Sequence, residues 1–206
     1  MPEVTLPLDD ELFSKLQMAA ALAGMDIESF LATKIHQHSA QLLRDVPKQW
    51  MPREQWDALV TGETCPICIS LRAGEYIDEY GYTVADLQVS RLRLNSDQFT
   101  PGYCVLIAKT HVSEIYHLSQ EDQRRYFEDM MWAARAIDRV FHPLKMNFEI
   151  LGNALPHLHC HMKPRYYGDA APSQPLYPEQ EAHLLSAEAY ENGVRLLREA
   201  LDEMSR

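Results

Sequence analysis

Residues 156–166 read Pro-His-Leu-His-Cys-His-Met-Lys-Pro-Arg-Tyr, with three histidines that alternate with apolar or small residues. In a β-strand, alternate side chains leave the same face. The spacing therefore predicts a strand whose imidazoles form a row on one surface, while the residues between them point into a core. The row consists of His157, His159 and His161.

The three histidines cannot all bind one metal ion. At roughly 3.3 Å per residue the outer two lie about 13 Å apart along a strand, whereas zinc–nitrogen distances are about 2 Å. Three interpretations follow: unrelated surface or core histidines, a His-x-His pair on one metal, or a nucleophilic imidazole flanked by two supporting ones. The third accounts for all three residues, because neutral imidazole has an unperturbed pKa near 6.5 and histidine can carry a transferred group covalently.

At these residues the sequence resembles the histidine triad (HIT) superfamily of nucleotide hydrolases and transferases, whose signature is His-φ-His-φ-His-φ-φ with φ apolar. All three histidines match, and Lys163 stands where the last apolar residue is expected. Residues 147–153 and Arg165-Tyr166 give a frame similar to the diadenosine polyphosphate hydrolase branch. The resemblance implies an α+β fold, with an antiparallel sheet of about five strands, flanking helices and a homodimeric assembly.

The resemblance also implies a role for each residue of the site. His159 attacks the α-phosphorus and forms a nucleotidyl-histidine, His161 contacts the transferred phosphate, and His157 braces the site or ligates zinc. An asparagine on the preceding strand, Asn147, is expected close to His159, where it binds phosphate or orients an imidazole. The candidate nucleotide-binding residues are Asn95, Asp97, Asn153 and Arg165. Turn chemistry explains the first three equally well, and Arg165 could instead pair with an acidic neighbour.

Thr64-Cys65-Pro66-Ile67-Cys68 has the spacing at which two thiolates bind one zinc ion, although two unlinked thiols or a redox pair remain open. Certain HIT branches, and the related galactose-1-phosphate uridylyltransferases, complete such a site with a downstream histidine and the first histidine of the triad. The resemblance then implies a closed, structural zinc site of Cys65, Cys68, His111 and His157, with His117 as an alternative third ligand. No organic cofactor is expected.

The composition limits the functional class. No run of residues 1–206 approaches the roughly 20 apolar residues that span a bilayer, and the N-terminal stretch lacks the features of a signal peptide. Four cysteines, two of them in Cys-x-x-Cys, are typical of reduced thiols and a metal site. A net charge of −11 argues against binding to nucleic acid or anionic membranes. We therefore expect a cytoplasmic protein with a nucleotide or dinucleotide substrate and no membrane partner.

Residues 1–46 are expected to form a separate helical extension, ahead of a HIT-like domain at 47–206. Alternation of Val4, Leu6 and Leu8 predicts a short strand, and two helices follow, separated by Gly24. This order resembles the ribbon-helix-helix module of DNA-binding proteins. The segment holds seven acidic and three basic residues, however, a net charge of −4 that lacks a basic footprint. A helical hairpin used for dimerisation or packing is favoured.

The remaining elements follow from periodicity and caps. Strands are expected between Tyr82 and Lys109, with a bulge or break near Ser90-Arg91, and a helix over 119–141 begins at a serine cap. The predicted activity is hydrolysis or nucleotidyl transfer at the α-phosphate of a dinucleoside polyphosphate such as diadenosine tetraphosphate. The alternatives are a nucleoside phosphoramidase, a dinucleoside polyphosphate phosphorylase, or a non-catalytic nucleotide-binding protein, among them a nucleotide-sensing regulator with a DNA-binding N-terminal module.

Overall fold

The computed structural model of the protein describes residues 9–34, 50–78, 80–178 and 181–204. The chain divides into two compact units, residues 1–49 and 50–206. The predicted strand at Val4, Leu6 and Leu8 lies outside the described residues. Among the residues described, no helix is both long enough and apolar enough to cross a bilayer.

The described residues of the first unit, 9–34, form two helices. Helix α1 (Asp10–Leu22) is capped by Asp9, whose carboxylate accepts from Leu12 N at 2.7 Å. Helix α2 covers residues 27–34 of the described chain, and the Asp26 carboxylate accepts from Ser29 N at 2.8 Å at its start. Gly24 lies between them with φ +67°, a left-handed conformation that favours glycine.

The second unit is an α+β fold with a six-stranded antiparallel sheet in the order β1-β2-β3-β4-β6-β5, which confirms the predicted class. The strands are β1 (Ile77–Asp78), β2 (Gly81–Asp86), β3 (Ser90–Asn95), β4 (Cys104–Ala108), β5 (Lys145–Glu149) and β6 (His159–Arg165). The helices are α3 (Arg53–Val60), α4 (Pro66–Ala73), α5 (Gln120–Phe141) and α6 (Ala187–Met204), with a 3-10 turn at Ile115–His117.

The bulge or break predicted near Ser90-Arg91 is a break between two strands. The apolar phase does change between Val89 and Leu92, but the cause is a hairpin: β2 ends at Asp86, and β3 begins at Ser90. The register irregularity lies within β2, between Thr83 and Ala85. The alternation of Leu87 and Val89 belongs to the connection between two strands.

The two faces of the sheet have different tasks. One face packs against α5 and α6 in the main core, which includes Leu92, Leu106, Cys160 and Met162. The serine cap of α5 is confirmed, because Ser119 Oγ accepts from Asp122 N at 3.1 Å. The opposite face packs against α4 in a smaller cluster, whose buried members are Cys65, Ile67, Cys68, Tyr103, Val105 and Ile107. This second face also carries the triad histidines.

The register of the central strands places the triad. In the β4–β6 pair, His161 lies opposite Val105 and His159 lies opposite Ile107. The predicted alternation is confirmed, since Cys160 and Met162 are fully buried in the main core, while His159 and His161 face the other side. His157 precedes the strand and is itself fully buried.

Candidate functional site

Two cysteines and two histidines lie together at the start of β6. The candidate ligand atoms of Cys65, Cys68, His111 and His157 all lie within 4.8 Å of one another. Cys68 Sγ lies 3.2 Å from His111 Nδ1 and 3.4 Å from His157 Nδ1. Residues that are 92 positions apart in the chain thus form the four-residue group that the sequence predicts.

The two imidazoles of this cluster are anchored through their outer nitrogens. His111 Nε2 lies 3.0 Å from the carbonyl of Val60, and His157 Nε2 lies 2.8 Å from the carbonyl of Ala108. A carbonyl can only accept, so each Nε2 carries the hydrogen and each Nδ1 carries a lone pair. The two Nδ1 atoms are 3.1 Å apart. Two lone pairs at that distance repel unless a cation lies between them, so the cluster fits a metal ion.

The thiols and a glycine complete the cluster. Cys65 is the N-cap residue of α4 and is fully buried. Burial and the neighbouring Cys65 raise the pKa of Cys68 to about 11, so the thiolate form requires a cationic ligand. Gly62 has φ +82°, and a Cβ there would lie 3.0 Å from the His111 ring. The His111 ring therefore packs where a larger residue at position 62 would stand.

His159, the central histidine, is anchored through the other nitrogen. Its Nδ1 lies 2.6 Å from the carbonyl of His157, so Nδ1 holds the hydrogen and Nε2 holds the lone pair. Burial lowers its pKa below the ordinary value for histidine. The ring is therefore neutral at pH 7, with a nucleophilic nitrogen.

His161, the last triad histidine, stands beside it. The two rings are perpendicular with centroids 4.9 Å apart, and His161 Nδ1 lies 2.6 Å from the hydroxyl of Tyr103. Burial, followed by the charges of His159 and Lys163, lowers the pKa of His161 to about 4. Both rings are thus uncharged at neutral pH.

A cavity of about 350 Å³ opens beside these two histidines. Most of its wall is apolar, from α4, β4 and the loop before β6, and the polar side chains are few. The lining residues are Ile67, Ser70, Leu71, Tyr80, Arg93, Asn95, Val105, Ile107, residues 151–155, His159 and His161. An apolar slot with few polar groups is typical of a small-molecule site. Of the predicted nucleotide-binding residues, Asn95 and Asn153 line it.

The other predicted contacts lie elsewhere. The Asp97 carboxylate accepts from Phe99 N at 3.1 Å and His183 N at 2.9 Å, so it fixes a turn. Arg165 pairs with Asp169 through two hydrogen bonds of 2.6 and 2.8 Å and does not line the cavity. His117 is exposed and lies outside the metal-ligand group.

The prediction that Asn147 lies close to His159 is wrong. Asn147 pairs with Lys163 in the β5–β6 register, four residues further along the strand. Its side-chain oxygen accepts from Arg165 Nη1 at 2.8 Å. The cause is the long connection at residues 150–158, which starts the pairing at Glu149 and His161 and carries Asn147 past the site.

Two residues at the site were absent from the sequence-based predictions. Arg93 is 2% exposed, lines the cavity and forms an ion pair with Asp78. Tyr103 is 5% exposed and contacts His161. The Arg-Leu-Arg-Leu-Asn alternation at 91–95 would have placed Arg93 on the face opposite the leucines. No local signal pairs Tyr103 with His161.

Comparisons with known proteins agree with this architecture. The family model of the HIT domain matches residues 81–168. A curated relative named Protein hit, from Bacillus subtilis (strain 168), is 35% identical over 78 residues, which are 35% of this chain and 54% of that protein. The chain thus spans about half the length of this relative.

Solved structures share the fold. A histidine triad protein from Bradyrhizobium japonicum has a TM-score of 0.54 at 25% identity, covering 60% of this chain and 92% of that one. A zinc-bound histidine triad family protein from Mycobacterium smegmatis has a TM-score of 0.51 at 22% identity, covering 69% of this chain and 96% of that one. The triad, the sheet and these matches identify residues 81–168 as a HIT domain.

Proposed function

We propose that this protein is a nucleotide hydrolase or nucleotidyl transferase that forms a covalent intermediate on His159. The observation that carries the proposal is the 2.6 Å contact between His159 Nδ1 and the carbonyl of His157. It leaves Nε2 as the unprotonated nitrogen of a cavity-lining ring. A half-buried neutral imidazole held in one tautomer is a suitable nucleophile for phosphorus.

The reaction has two steps. His159 Nε2 attacks the α-phosphorus, a nitrogen–phosphorus bond forms, and the bond to the leaving group breaks. The His157 carbonyl accepts from Nδ1–H throughout, which stabilises the positive charge that develops on the ring. Water then attacks the same phosphorus, releases the nucleoside monophosphate and restores neutral His159. His161 and backbone N–H groups stabilise charge on the non-bridging oxygens.

Cys65, Cys68, His111 and His157 would hold zinc in this proposal. A bound ion would supply a structural crosslink between the start of α4, the end of β4 and the entry to β6, and no chemistry at the phosphorus. Because His157 also presents the carbonyl that anchors His159, ligation would fix the backbone on which the nucleophile depends. The chemical step itself belongs to the side chains around the cavity.

The first substrate class is a dinucleoside polyphosphate such as diadenosine tetraphosphate. One base and ribose suit the apolar cavity, and the second nucleotide is the leaving group. If phosphate replaces water as the acceptor, the same residues make a phosphorylase. A polyphosphate leaving group carries several negative charges, which cationic side chains along its path would stabilise.

A second class, the nucleoside phosphoramidates, is favoured by the charges at the cavity. Arg93 is the cationic side chain among the described residues that line it, and its guanidinium already pairs with Asp78 and donates to the carbonyl of Gly81 at 2.7 Å. A phosphoramidate needs no cation for its leaving group, since an amine departs uncharged after protonation.

A substrate panel tests the proposal. Diadenosine tetraphosphate and an adenosine 5′-phosphoramidate are incubated with the wild type and with His159→Ala, and nucleotides are separated by chromatography. We expect release of AMP from at least one substrate by the wild type alone. Equal turnover by His159→Ala, or no turnover of any phosphoanhydride or phosphoramidate by folded wild type, would contradict the proposal.

We also propose a homodimer formed through the free edge of the sheet. Among the described strands, β5 lies at the edge of the sheet, and Phe148, Ile150 and Leu151 on and after it are 39–53% exposed. An unpaired strand edge beside exposed apolar side chains suits pairing with a second copy. Light scattering of the wild type and of Phe148→Glu should give a dimer and a monomer, respectively.

A further inference from the structure

Among the described residues, the hydroxyl of Tyr103 is the side-chain hydrogen-bond partner of His161. Tyr103 immediately precedes β4, and its oxygen lies 2.6 Å from His161 Nδ1. The ring is buried, and the sequence-based reasoning gave it no role. Burial, followed by the charges of Glu149 and Asp97, raises the pKa of Tyr103, so the hydroxyl keeps its proton.

The direction of this hydrogen bond follows from the partners at hand. If His161 Nδ1 donated, the Tyr103 hydroxyl hydrogen would need another acceptor, and none of the described residues has an acceptor atom in hydrogen-bond contact with it. A buried donor without a partner costs more than a typical hydrogen bond contributes. The hydroxyl therefore donates, and Nδ1 accepts.

The neighbouring charged groups are consistent with this direction. Glu149 lies opposite His161 in the β5–β6 pair, and its carboxylate would draw a proton onto the ring. Lys163 Nζ lies 2.7 Å from that carboxylate in an ion pair that is partly buried. The Glu149 carboxylate is thereby held by Lys163, and Tyr103 remains the hydrogen-bond partner of the His161 ring.

The backbone fixes Tyr103 firmly. Its carbonyl accepts from Asn95 N at 3.0 Å and from Gln98 Nε2 at 2.9 Å, and its N–H donates to the carbonyl of Thr100 at 3.1 Å. The ring also packs edge-on against Phe99, with centroids 5.1 Å apart. The hydroxyl thus belongs to a rigid turn, the same turn that begins at the cavity-lining Asn95.

We propose that Tyr103 is a positioning residue that holds His161 in the Nε2–H tautomer. The His161 ring then donates a hydrogen bond from Nε2, while the unprotonated Nε2 of the adjacent His159 faces the phosphorus. The significance for turnover rests on the proposed function; the tautomer does not. The two neighbouring rings are then opposite tautomers: His159 is held by a backbone acceptor on Nδ1, and His161 is held by a side-chain donor on Nδ1. One becomes the nucleophile and the other the donor to a phosphoryl oxygen.

Long-range ¹H–¹⁵N NMR of the histidine rings tests the tautomer directly. The His161 signals are assigned from the spectrum of His161→Gln. We expect wild-type His161 to show a protonated Nε2 and an unprotonated Nδ1, and Tyr103→Phe to give averaged shifts for both nitrogens. A wild-type spectrum with hydrogen on Nδ1, or an unchanged tautomer in Tyr103→Phe, would overturn the proposal.

Kinetics provide a second readout with a matched control. Tyr103→Phe should lower kcat roughly tenfold and leave KM within about twofold, the size of effect of one lost hydrogen bond made to a group that acts in the transition state. Tyr126→Phe removes another buried hydroxyl, one that donates to Leu106 O at 3.1 Å in the main core, and should leave kcat and the His161 tautomer unchanged. Equal kinetic loss in both variants would mean that Tyr103 acts through stability alone. If the wild type turns over no substrate while NMR shows the expected tautomer, the proposed function fails and the role of Tyr103 stands.

Discussion

His157 and His159 lie two residues apart, are both neutral, and are anchored by opposite ring nitrogens, although His157 is fully buried and His159 is half-buried. His157 donates from Nε2 to Ala108 O at 2.8 Å, which leaves Nδ1 for the metal cluster. His159 donates from Nδ1 to His157 O at 2.6 Å, which leaves Nε2 for the cavity. The same residue type thus serves two sites at the start of β6: the metal cluster, here called the metal end, and the cavity, here called the catalytic end. The backbone carbonyl that each ring contacts determines which site its free nitrogen faces.

The difference shows how one strand supports a structural site and a reactive site without mixing them. At the metal end, the lone pairs of His111 Nδ1 and His157 Nδ1 lie 3.1 Å apart and require a cation. At the catalytic end, the single lone pair of His159 Nε2 faces an apolar cavity. The ends remain linked, because the carbonyl that anchors His159 belongs to a residue of the metal cluster. Substitutions at the metal end should therefore also lower activity at the catalytic end, whereas substitutions at the catalytic end should leave the metal cluster intact.

The largest expected effect comes from removing the nucleophile. His159→Ala should lower kcat by roughly 10⁴-fold or more, because no other group can form the covalent intermediate. Zinc content and Tm should stay close to those of the wild type. His117→Ala, which removes an exposed histidine, serves as the control and should retain full activity. Turnover within tenfold of wild type in His159→Ala would remove the contrast between the two ends.

The next effect comes from the metal end. Cys65→Ser with Cys68→Ser should abolish zinc binding and lower the free energy of unfolding by about 3 kcal/mol, or Tm by roughly 6–12 °C. Because His157 then loses its clamp, kcat should fall by about 10- to 100-fold. Metal analysis measures the zinc content, calorimetry measures the Tm, and steady-state kinetics measure kcat.

Cys104→Ala is the control for that double variant. It removes a thiol that is buried in the main core, so it should lower Tm while zinc stays at about one ion per chain. Wild-type protein that contains no zinc after growth in zinc-supplemented medium, with a Tm unaffected by the cysteine substitutions, would exclude the metal site.

A smaller effect is expected at Gly62. Gly62→Ala forces a side chain into positive φ and places its Cβ 3.0 Å from the His111 ring, which should weaken zinc binding about tenfold. Gly74→Ala imposes similar backbone strain at φ +66° with nothing within 4 Å of the added Cβ. Competition with a chromogenic chelator should therefore separate the two variants, although both lose about 1 kcal/mol of stability. Equal zinc affinity in both would mean that His111 is not held by this contact.

The smallest effects separate two asparagines. Asn95→Ala should raise KM about fivefold through one lost contact at the cavity. Asn147→Ala should change KM and kcat by less than about threefold and should lower stability instead, because its partner is Arg165. Steady-state kinetics decide between them, and a large loss of kcat in Asn147→Ala would return this residue to the site.

Sequence reasoning located the parts of this site that depend on local periodicity or on a spaced ligand motif. Alternation at 157–162 predicted the faces of β6. The Cys-x-x-Cys spacing predicted two ligands, and the resemblance to the HIT superfamily implied the two histidines that the structure brings together with them. Sequence reasoning failed where the position of a residue depends on the pairing between strands. Asn147 was misplaced because residues 150–158 form a longer connection than a tight turn. The partnership of Tyr103 with His161 was missed because it depends on which strands are neighbours.

The most direct measurement of the division between the two ends is the position of the covalent intermediate. The wild type is mixed with substrate, quenched within the first turnovers and digested, and the peptides are analysed by mass spectrometry. We predict a nucleoside monophosphate adduct on His159 alone, with His157 and His161 unmodified. An adduct on either of the other two histidines, or rapid turnover with no adduct on any histidine, would contradict the account.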